Sequence, residues 1–302
     1  MQNLLIWIYF AAILLVAIFK VLLPQKDSIG FKKTLSVTGL YILAFGLVLS
    51  LISLAWYKNG LHSSFHWFDD SGEWLQMDKT GHFFAAFFLS RLLVELYIWS
   101  GLPSAKAYLY GGFSGVVLHS SIELLDGYSD SYGASVSDLV VNLSGSLFVY
   151  IQYRLWGGLK CLSKISFHPT AFAALRQSML GDTSIEQALK DYNGHTLWFN
   201  FSMKKMIHIS PTWLHLSVGY GAEGLIGGHD NVFTNENGQT IDLSGISRSR
   251  QFYLSLDVNF EVVKTNSRFL RGVLYVINHF KTPMPTIEFN TVEGVKWHWV
   301  YF

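Results

Sequence analysis

The hydrophobic pattern begins with two long apolar runs. Residues 4–23 and 35–56 each reach the roughly 20 apolar residues that cross a bilayer core as a helix. Three lysines lie between the runs, and the stretch after the second run is acidic. Because lysine-rich loops stay in the cytoplasm, the pattern predicts two transmembrane helices with a cytoplasmic link. An alternative treats the second run as a signal peptide behind a misplaced start codon, which would release the rest of the chain into the periplasm.

Three further apolar segments, at residues 79–99, 106–125 and 136–156, contain polar residues. Arg91 and Glu95 lie near the middle of the first segment, where an unpaired charge in a bilayer costs about 2.5 to 3.5 kcal/mol. The two residues are four apart and can pair on one helix face. We therefore expect three helices that face one another more than they face lipid.

From about residue 195 the pattern changes to short runs in which apolar and polar residues alternate. Runs such as FYLSLDVNF and VKWHWVYF are rich in aromatic and β-branched residues, and glycine-rich turns separate them. This alternation predicts an antiparallel sheet. The last run resembles the final strand of an outer-membrane barrel, but fewer strands are visible than the roughly eight that the smallest barrels need. A small soluble or membrane-surface sheet and a barrel both remain open.

Together these patterns predict an α+β membrane protein in four parts. Charged residues make up 14% of the chain, against about 25% in soluble domains, which also favours a membrane protein. The expected parts are two transmembrane helices at 1–57, a helical bundle at 58–156, a linker with a short helix at 157–194 and an antiparallel β-rich domain at 195–302.

Composition excludes several classes of function. With 22 basic and 21 acidic residues, the chain lacks the basic surplus that typically accompanies nucleic-acid binding. Cys161 is the single cysteine, which excludes an internal disulfide and a multi-cysteine zinc site. We expect it to be a small buried hydrophobe. The expected partners are membrane lipid and other envelope proteins, and no nucleic acid.

Polar residues concentrate in three motifs, DKTGH, ELLDG and GASVSDLVVNLSG. Residues four apart on a helix share a face, so each motif presents its polar side chains together. If the three helices alternate in direction, all three groups lie at one end of the bundle. The candidate residues are Asp78, Lys79, His82, Glu123, Asp126, Ser135, Asp138 and Asn142.

Convergence of this kind allows two chemistries. In a catalytic site, His82 is the general base, and Glu123 or Asp138 orients it or holds a metal. In a binding site, the cluster grips a polar lipid head group. We predict no resident cofactor, with a divalent metal as the alternative. The candidate binding residues are Asp78, Lys79, Asp126, Ser135 and Asn142.

Each candidate also has a structural alternative. Asp78 could cap a helix that begins at Lys79, and Ser135 with Asp138 matches a capping box. Buried polar groups need partners, so the other polar side chains could simply satisfy one another, as His82 and Asn142 could. We interpret the acidic and aromatic flank at residues 67–74 as an interfacial belt with solvated carboxylates.

The three motifs resemble the YfiM-like family of bacterial envelope proteins of unknown function over residues 65–155, and are distantly similar to the VanZ-like membrane family. The resemblance implies an envelope location and a shared helical core, and no established reaction. The chain departs from lipoprotein members of the family because it has no lipobox cysteine. The matching positions are Asp78, Lys79, His82, Glu123, Asp126, Ser135, Asp138, Asn142 and Gly145.

These expectations describe a bacterial membrane protein in the inner membrane, with an outer-membrane or a periplasm-facing location as the alternative. We expect its polar cluster to bind an anionic lipid head group or a partner protein. The alternative function is a membrane hydrolase or transferase that acts on a lipid head group. Whether the protein is an enzyme stays open at this point.

Overall fold

A computed structural model describes residues 31–56, 61, 63–130, 132–235 and 237–302. The first predicted transmembrane run, at residues 4–23, lies outside the described residues. The described helices are α1 (Phe31–Trp56), α2 (Met77–Trp99), α3 (Ser104–Gly112), α4 (Ser114–Asp126), α5 (Val136–Trp156), α6 (Gln177–Leu180), α7 (Ser184–Lys190), α8 (Met203–Met206) and α9 (Arg268–Ile277).

The described strands are β1 (Cys161–Phe167), β2 (His195–Ser202), β3 (Leu214–Glu223), β4 (Val232–Thr234), β5 (Thr240–Asp242), β6 (Ser249–Val258), β7 (Met284–Asn290) and β8 (Gly294–Tyr301). Helices and an antiparallel sheet are both present, so the predicted α+β class is confirmed. The chain divides into two compact units. The helical unit holds the described residues up to Ser71, then Lys79–Leu159 and Thr265–Val276, and the sheet unit holds Gly72–Asp78, Lys160–Lys264 and Ile277–Phe302.

Glycines allow the helices of the helical unit to approach closely. A Cβ atom on Gly145 of α5 would lie 2.2 Å from the backbone oxygen of Phe83, and one on Gly115 of α4 would lie 2.1 Å from that of Ala86. Phe83 and Ala86 belong to α2, so α4 and α5 both pack against α2 backbone to backbone. Small residues permit such contacts in helical bundles.

The sheet unit is built on one antiparallel sheet with the strand order β1-β2-β3-β6-β7-β8. Strands β4 and β5 form a separate hairpin. Strand β1 lies in the stretch 157–194 that the sequence pattern assigns to a linker. Among the described residues the sheet is open, with β1 and β8 at its two ends, so no closed barrel forms there.

Within the part of the chain that the structure describes, two helices are long and apolar enough to cross a membrane, judged by length and composition. One is α1, in which only 11% of the qualifying stretch Lys33–Ser50 is buried, and the other contains α2, in which 50% is buried. A core helix of a soluble protein meets the same criterion when it is buried. Exposure of apolar side chains on α1, such as Leu43 at 73%, distinguishes it from such a core helix.

A candidate polar site in the helical unit

The structure brings the polar motifs of the helical unit together at one place. The start of α2, the end of α4 and the start of α5 meet there, as expected for helices that alternate in direction. The arrangement joins Lys79 and His82 from α2, His119, Glu123 and Asp126 from α4, and Ser135, Asp138 and Asn142 at the start of α5. We call these residues, together with Asp70, the polar cluster.

Lys79 is the cationic centre of the polar cluster. Its Nζ lies 2.8 Å from Oδ1 of Asp138 and 2.6 Å from Oδ1 of Asp70. The side chain of Lys79 is 8% exposed, so its charge is largely removed from water. A buried ammonium group is stable only when it is paired and hydrogen-bonded, and two carboxylates provide that pairing here.

Ser135 links the start of α5 to two carboxylates of the cluster, those of Asp70 and Glu123. As the N-cap of α5 it accepts a hydrogen bond from the backbone N–H of Asp138 at 3.2 Å, which confirms the capping interaction. Its Oγ donates to Asp70 at 2.6 Å, and its backbone N–H donates to Oε2 of Glu123 at 3.0 Å. The capping residue of α5 therefore also connects two carboxylates of the polar cluster.

Asp70 is the residue that sequence reasoning missed. Burial by itself would raise the pKa of Asp70, but hydrogen bonds from Lys79 and Ser135 outweigh this effect and hold the pKa below its usual range. The expectation of solvated carboxylates in this flank is therefore wrong for Asp70, whereas Asp69 is exposed. No helical spacing connects Asp70 to the motifs, because it precedes α2 in a loop, so the sequence offers no signal beyond a pair of acidic residues.

His82 and Asn142 are hydrogen-bonded to each other, as the structural alternative predicts. Nδ1 of His82 lies 3.2 Å from Oδ1 of Asn142, and because this oxygen only accepts, Nδ1 carries the proton. Nε2 of His82 lies 3.8 Å from Oδ2 of Asp138. Nδ2 of Asn142 is buried and has no hydrogen-bond partner among the described residues, so within them the cluster has one unused donor beside His82.

Two of the three ionisable groups on α4, those of His119 and Glu123, are driven towards their neutral forms. Burial raises the pKa of Glu123, and the charges of Asp138 and Asp126 add to this effect. Together they bring the pKa to about 8, against the opposing effect of His82. Burial also lowers the pKa of His119 to about 3, and its neighbour His82 adds to this effect. Near neutral pH, Glu123 therefore carries a proton and His119 does not.

The two remaining candidates occupy different places. Asp126 is buried at the end of α4, close enough to Glu123 to affect its pKa. Asp78 belongs to the sheet unit, where its Oδ1 accepts a hydrogen bond from the hydroxyl group of Tyr192 at 2.7 Å. Because α2 begins at Met77, Asp78 lies in the first turn of this helix and does not cap it.

The polar cluster contains ligand atoms of the kind that divalent cations bind. Nε2 of His82 and Oδ2 of Asp138 are a nitrogen and an oxygen that such ions prefer. The other oxygen of Asp138 is bound to Lys79, so a cation would share that carboxylate with an ammonium group. A divalent metal at this place stays a prediction.

Residues 66–154 match a family model described as "Predicted periplasmic lipoprotein (DUF2279)". The matched stretch contains all of the polar cluster and covers less than a third of the chain. Comparisons with curated proteins and with solved structures found no match. The family match fits an envelope protein of uncharacterised role, and the YfiM-like and VanZ-like resemblances stay predictions.

Proposed function

We propose that this chain is a membrane-associated envelope protein whose helical unit binds a lipid head group through Asp70 and His82. The observation that carries the proposal is the exposure within the polar cluster. The side chains of Asp70 and His82 keep 17% and 14% of their area exposed, whereas those of Lys79 and Asp138 keep 8% and 5%. The buried members hold in place the two residues that a ligand can reach.

The charge balance favours a head group with a primary ammonium group, which can donate hydrogen bonds to carboxylates, whereas the trimethylated ammonium group of phosphatidylcholine has no N–H to donate. Four carboxylates, those of Asp70, Glu123, Asp126 and Asp138, accompany the single lysine of the cluster. Even with Glu123 protonated near neutral pH, the other acidic side chains outnumber this lysine. An anionic head group is the weaker candidate, because it would compete with two carboxylates for Lys79.

The outward face of α5 provides a surface for the acyl chains of the same lipid. It carries a row of exposed apolar side chains at helical spacing, and the row begins one residue after Ser135 of the cluster. A lipid whose head group reaches Asp70 could therefore lay its chains along α5. The row is Val136 (58% exposed), Val140 (57%), Leu143 (47%), Leu147 (36%) and Ile151 (39%).

The test compares head groups in the full-length protein. We would reconstitute it in phosphatidylcholine nanodiscs, add phosphatidylethanolamine or phosphatidylglycerol, and follow thermal unfolding. A ligand at 100 times its Kd stabilises the folded state by about 2.7 kcal/mol, so phosphatidylethanolamine should raise Tm. The variant Asp70→Asn should lose this response, and Asp69→Asn, which changes an exposed carboxylate next to it, should keep it.

Four outcomes would overturn the proposal. Equal responses to phosphatidylethanolamine and phosphatidylglycerol would show that the head group is not recognised. Equal loss in Asp70→Asn and Asp69→Asn would show that the effect is one of surface charge. A response to phosphatidylglycerol that disappears in Lys79→Met would favour an anionic head group instead. If no lipid responds and a second envelope protein crosslinks to the α5 row, a protein partner replaces the lipid.

The second candidate function is hydrolysis or transfer of a lipid head group. It is favoured by the placement of His82, which Asn142 orients through Nδ1 and which holds Nε2 near Asp138. A positioned histidine of this kind can act as a general base. Release of head group by the wild-type protein that His82→Gln abolishes would establish it, whereas unchanged lipid and an absence of bound metal in the purified protein would exclude it.

A further inference from the structure

The six-stranded sheet has its polarity reversed relative to a sheet in a soluble protein. Strand β6 shows this most clearly, because its apolar side chains Phe252, Leu254 and Leu256 are 46%, 38% and 39% exposed. The residues that alternate with them are buried, and most of them are polar. In order along the strand, the buried residues of β6 are Ser249, Gln251, Tyr253, Ser255 and Asp257.

The outward apolar residues form continuous rows across five strands. Residues paired across neighbouring strands share a face of the sheet, so the register defines these rows directly. One row is Phe199, Val218, Leu254, Ile287 and Trp297, and the next is Leu197, Tyr220, Phe252, Phe289 and Val295. We call these ten residues, which include no charged side chain, the outer face.

The opposite side of the same strands is polar and hydrogen-bonded. Thr286 donates to Oγ of Ser255 at 2.9 Å, and Oε2 of Glu288 lies 2.7 Å from Nε2 of His298. One inward row across the five strands consists of Asn200, Ser217, Ser255, Thr286 and His298. The sheet therefore buries its polar side chains and exposes its apolar ones.

An antiparallel sheet in water does the opposite, because one face packs on an apolar core while the other is solvated by polar side chains. Apolar-outward and polar-inward alternation is typical of sheets whose outer face meets lipid. Trp297 and Trp299 of β8, 52% and 78% exposed, add the residue type that is enriched where hydrocarbon meets head groups. The reversed polarity of this sheet is thus the polarity of sheets that contact lipid.

We infer that the outer face of the sheet lies on a lipid bilayer, with its side chains among the acyl chains and the strands parallel to the membrane plane. An open sheet cannot cross the hydrocarbon, because unpaired backbone groups at its edges would be unsatisfied there. Lying flat leaves these edges at the hydrated head-group level. This membrane contact is separate from the lipid head-group site proposed for the helical unit.

A second copy of the chain explains the outer face less well than lipid does. Protein interfaces typically place about one hydrogen bond in every 100 to 200 Å². The ten side chains of the outer face include two that carry a polar atom, Tyr220 and Trp297, and the hydroxyl group of Tyr220 already donates to the backbone of Leu75. A surface with so few donors and acceptors is better suited to hydrocarbon.

The experiment measures lipid contact at one position of the outer face. Full-length Leu254→Cys carries an environment-sensitive fluorophore and is reconstituted in phosphatidylethanolamine and phosphatidylglycerol vesicles, some with spin labels on their acyl chains. Gln239→Cys, on an exposed turn outside the sheet, is the matched control. Cys161 is buried, and the unsubstituted chain corrects for any label that it takes up.

We expect spin-labelled lipid to quench the label at Leu254→Cys severalfold more than the label at Gln239→Cys. Iodide should quench the label at Leu254→Cys less than the label at Gln239→Cys. Quenching of both labels by iodide alone would overturn it. Protection from iodide that appears only at high protein density, with crosslinks between copies of the unlabelled Leu254→Cys variant, would assign the outer face to a second copy. A label at Val218→Cys repeats the measurement if Leu254→Cys does not fold.

Discussion

The helical unit and the sheet unit both bury polar side chains and expose apolar ones, as α5 shows in the first unit and β6 in the second. They differ in how the buried polar groups are arranged. In the helical unit most of the buried charged groups meet around Lys79, whereas in the sheet unit ion pairs such as Lys164 with Asp257 are separated by rows of buried serine, threonine, asparagine and glutamine. Concentrated charge is what a recognition site requires, and a distributed polar face is what a scaffold in contact with lipid requires.

The largest effect that this comparison predicts is for Lys79→Met. Removing one partner of a buried ion pair leaves an uncompensated charge and costs about 3 to 5 kcal/mol, and here two carboxylates would lose their partner. Denaturant unfolding in detergent measures the loss, with exposed Lys106→Met as the control. In the sheet unit, Lys164 pairs with the buried carboxylate of Asp257 at 3.1 Å. Asp257 also accepts a hydrogen bond from the backbone N–H of Thr282, which would remain in Lys164→Met, so this substitution should cost less. Equal losses would contradict the concentration of charge in the helical unit.

A somewhat smaller effect is expected where α5 meets α2. In Gly145→Ala the new methyl group would meet the backbone oxygen of Phe83 at 2.2 Å, and overpacking of this kind costs about 1 to 3 kcal/mol. Gly81→Ala is the matched control on α2, because no atom lies within 4 Å of its added Cβ. The control should gain up to about 1 kcal/mol from the better helix propensity of alanine. A neutral result for Gly145→Ala would mean that the helices can separate without cost.

The protonation of Glu123 predicts a pH-dependent effect. Its pKa is about 8 in the folded protein and 4.5 as a model value, so the folded state binds the proton more tightly than the unfolded state. The resulting stability is fully present below pH 4.5 and is lost as pH rises through 8. In Glu123→Gln this loss should disappear, and the variant should exceed the wild type by on the order of 1 kcal/mol at pH 9. Parallel pH profiles of the two proteins, measured by thermal unfolding, would contradict the assigned protonation.

Local patterns allowed much of the helical unit to be predicted from sequence. The helix pattern of α2 and α5, the cap at Ser135 and the pair of Arg91 with Glu95, now 2.7 Å apart, all depend on residues close together in the chain. The segment predicted at 106–125 is instead two helices, because the backbone departs from helical geometry at Phe113. It follows two glycines, which weaken a helix.

Long-range features escaped prediction for a physical reason. The sequence pattern assigns strand β1 to a linker. Lys164 in this strand pairs with Asp257, 93 residues later, and no local pattern connects the two residues. Asp70 escaped for the same reason. Alternation along β6 predicts a strand, but alternation by itself does not say which side is buried. That choice depends on the whole set of polar partners across the sheet.

The smallest effects should come from the outward apolar residues of both units. In detergent, Leu143→Ser on α5 and Leu254→Ser on β6 should change the free energy of unfolding by no more than about 0.5 kcal/mol, as exposed substitutions usually do. Val149→Ser, on the buried side of α5, should cost several times more because it removes core packing. If Leu143→Ser costs as much as Val149→Ser, protein and not lipid covers this face in solution. If only Leu254→Ser is costly, the reversal of polarity belongs to the helical unit alone, and the comparison between the two units fails.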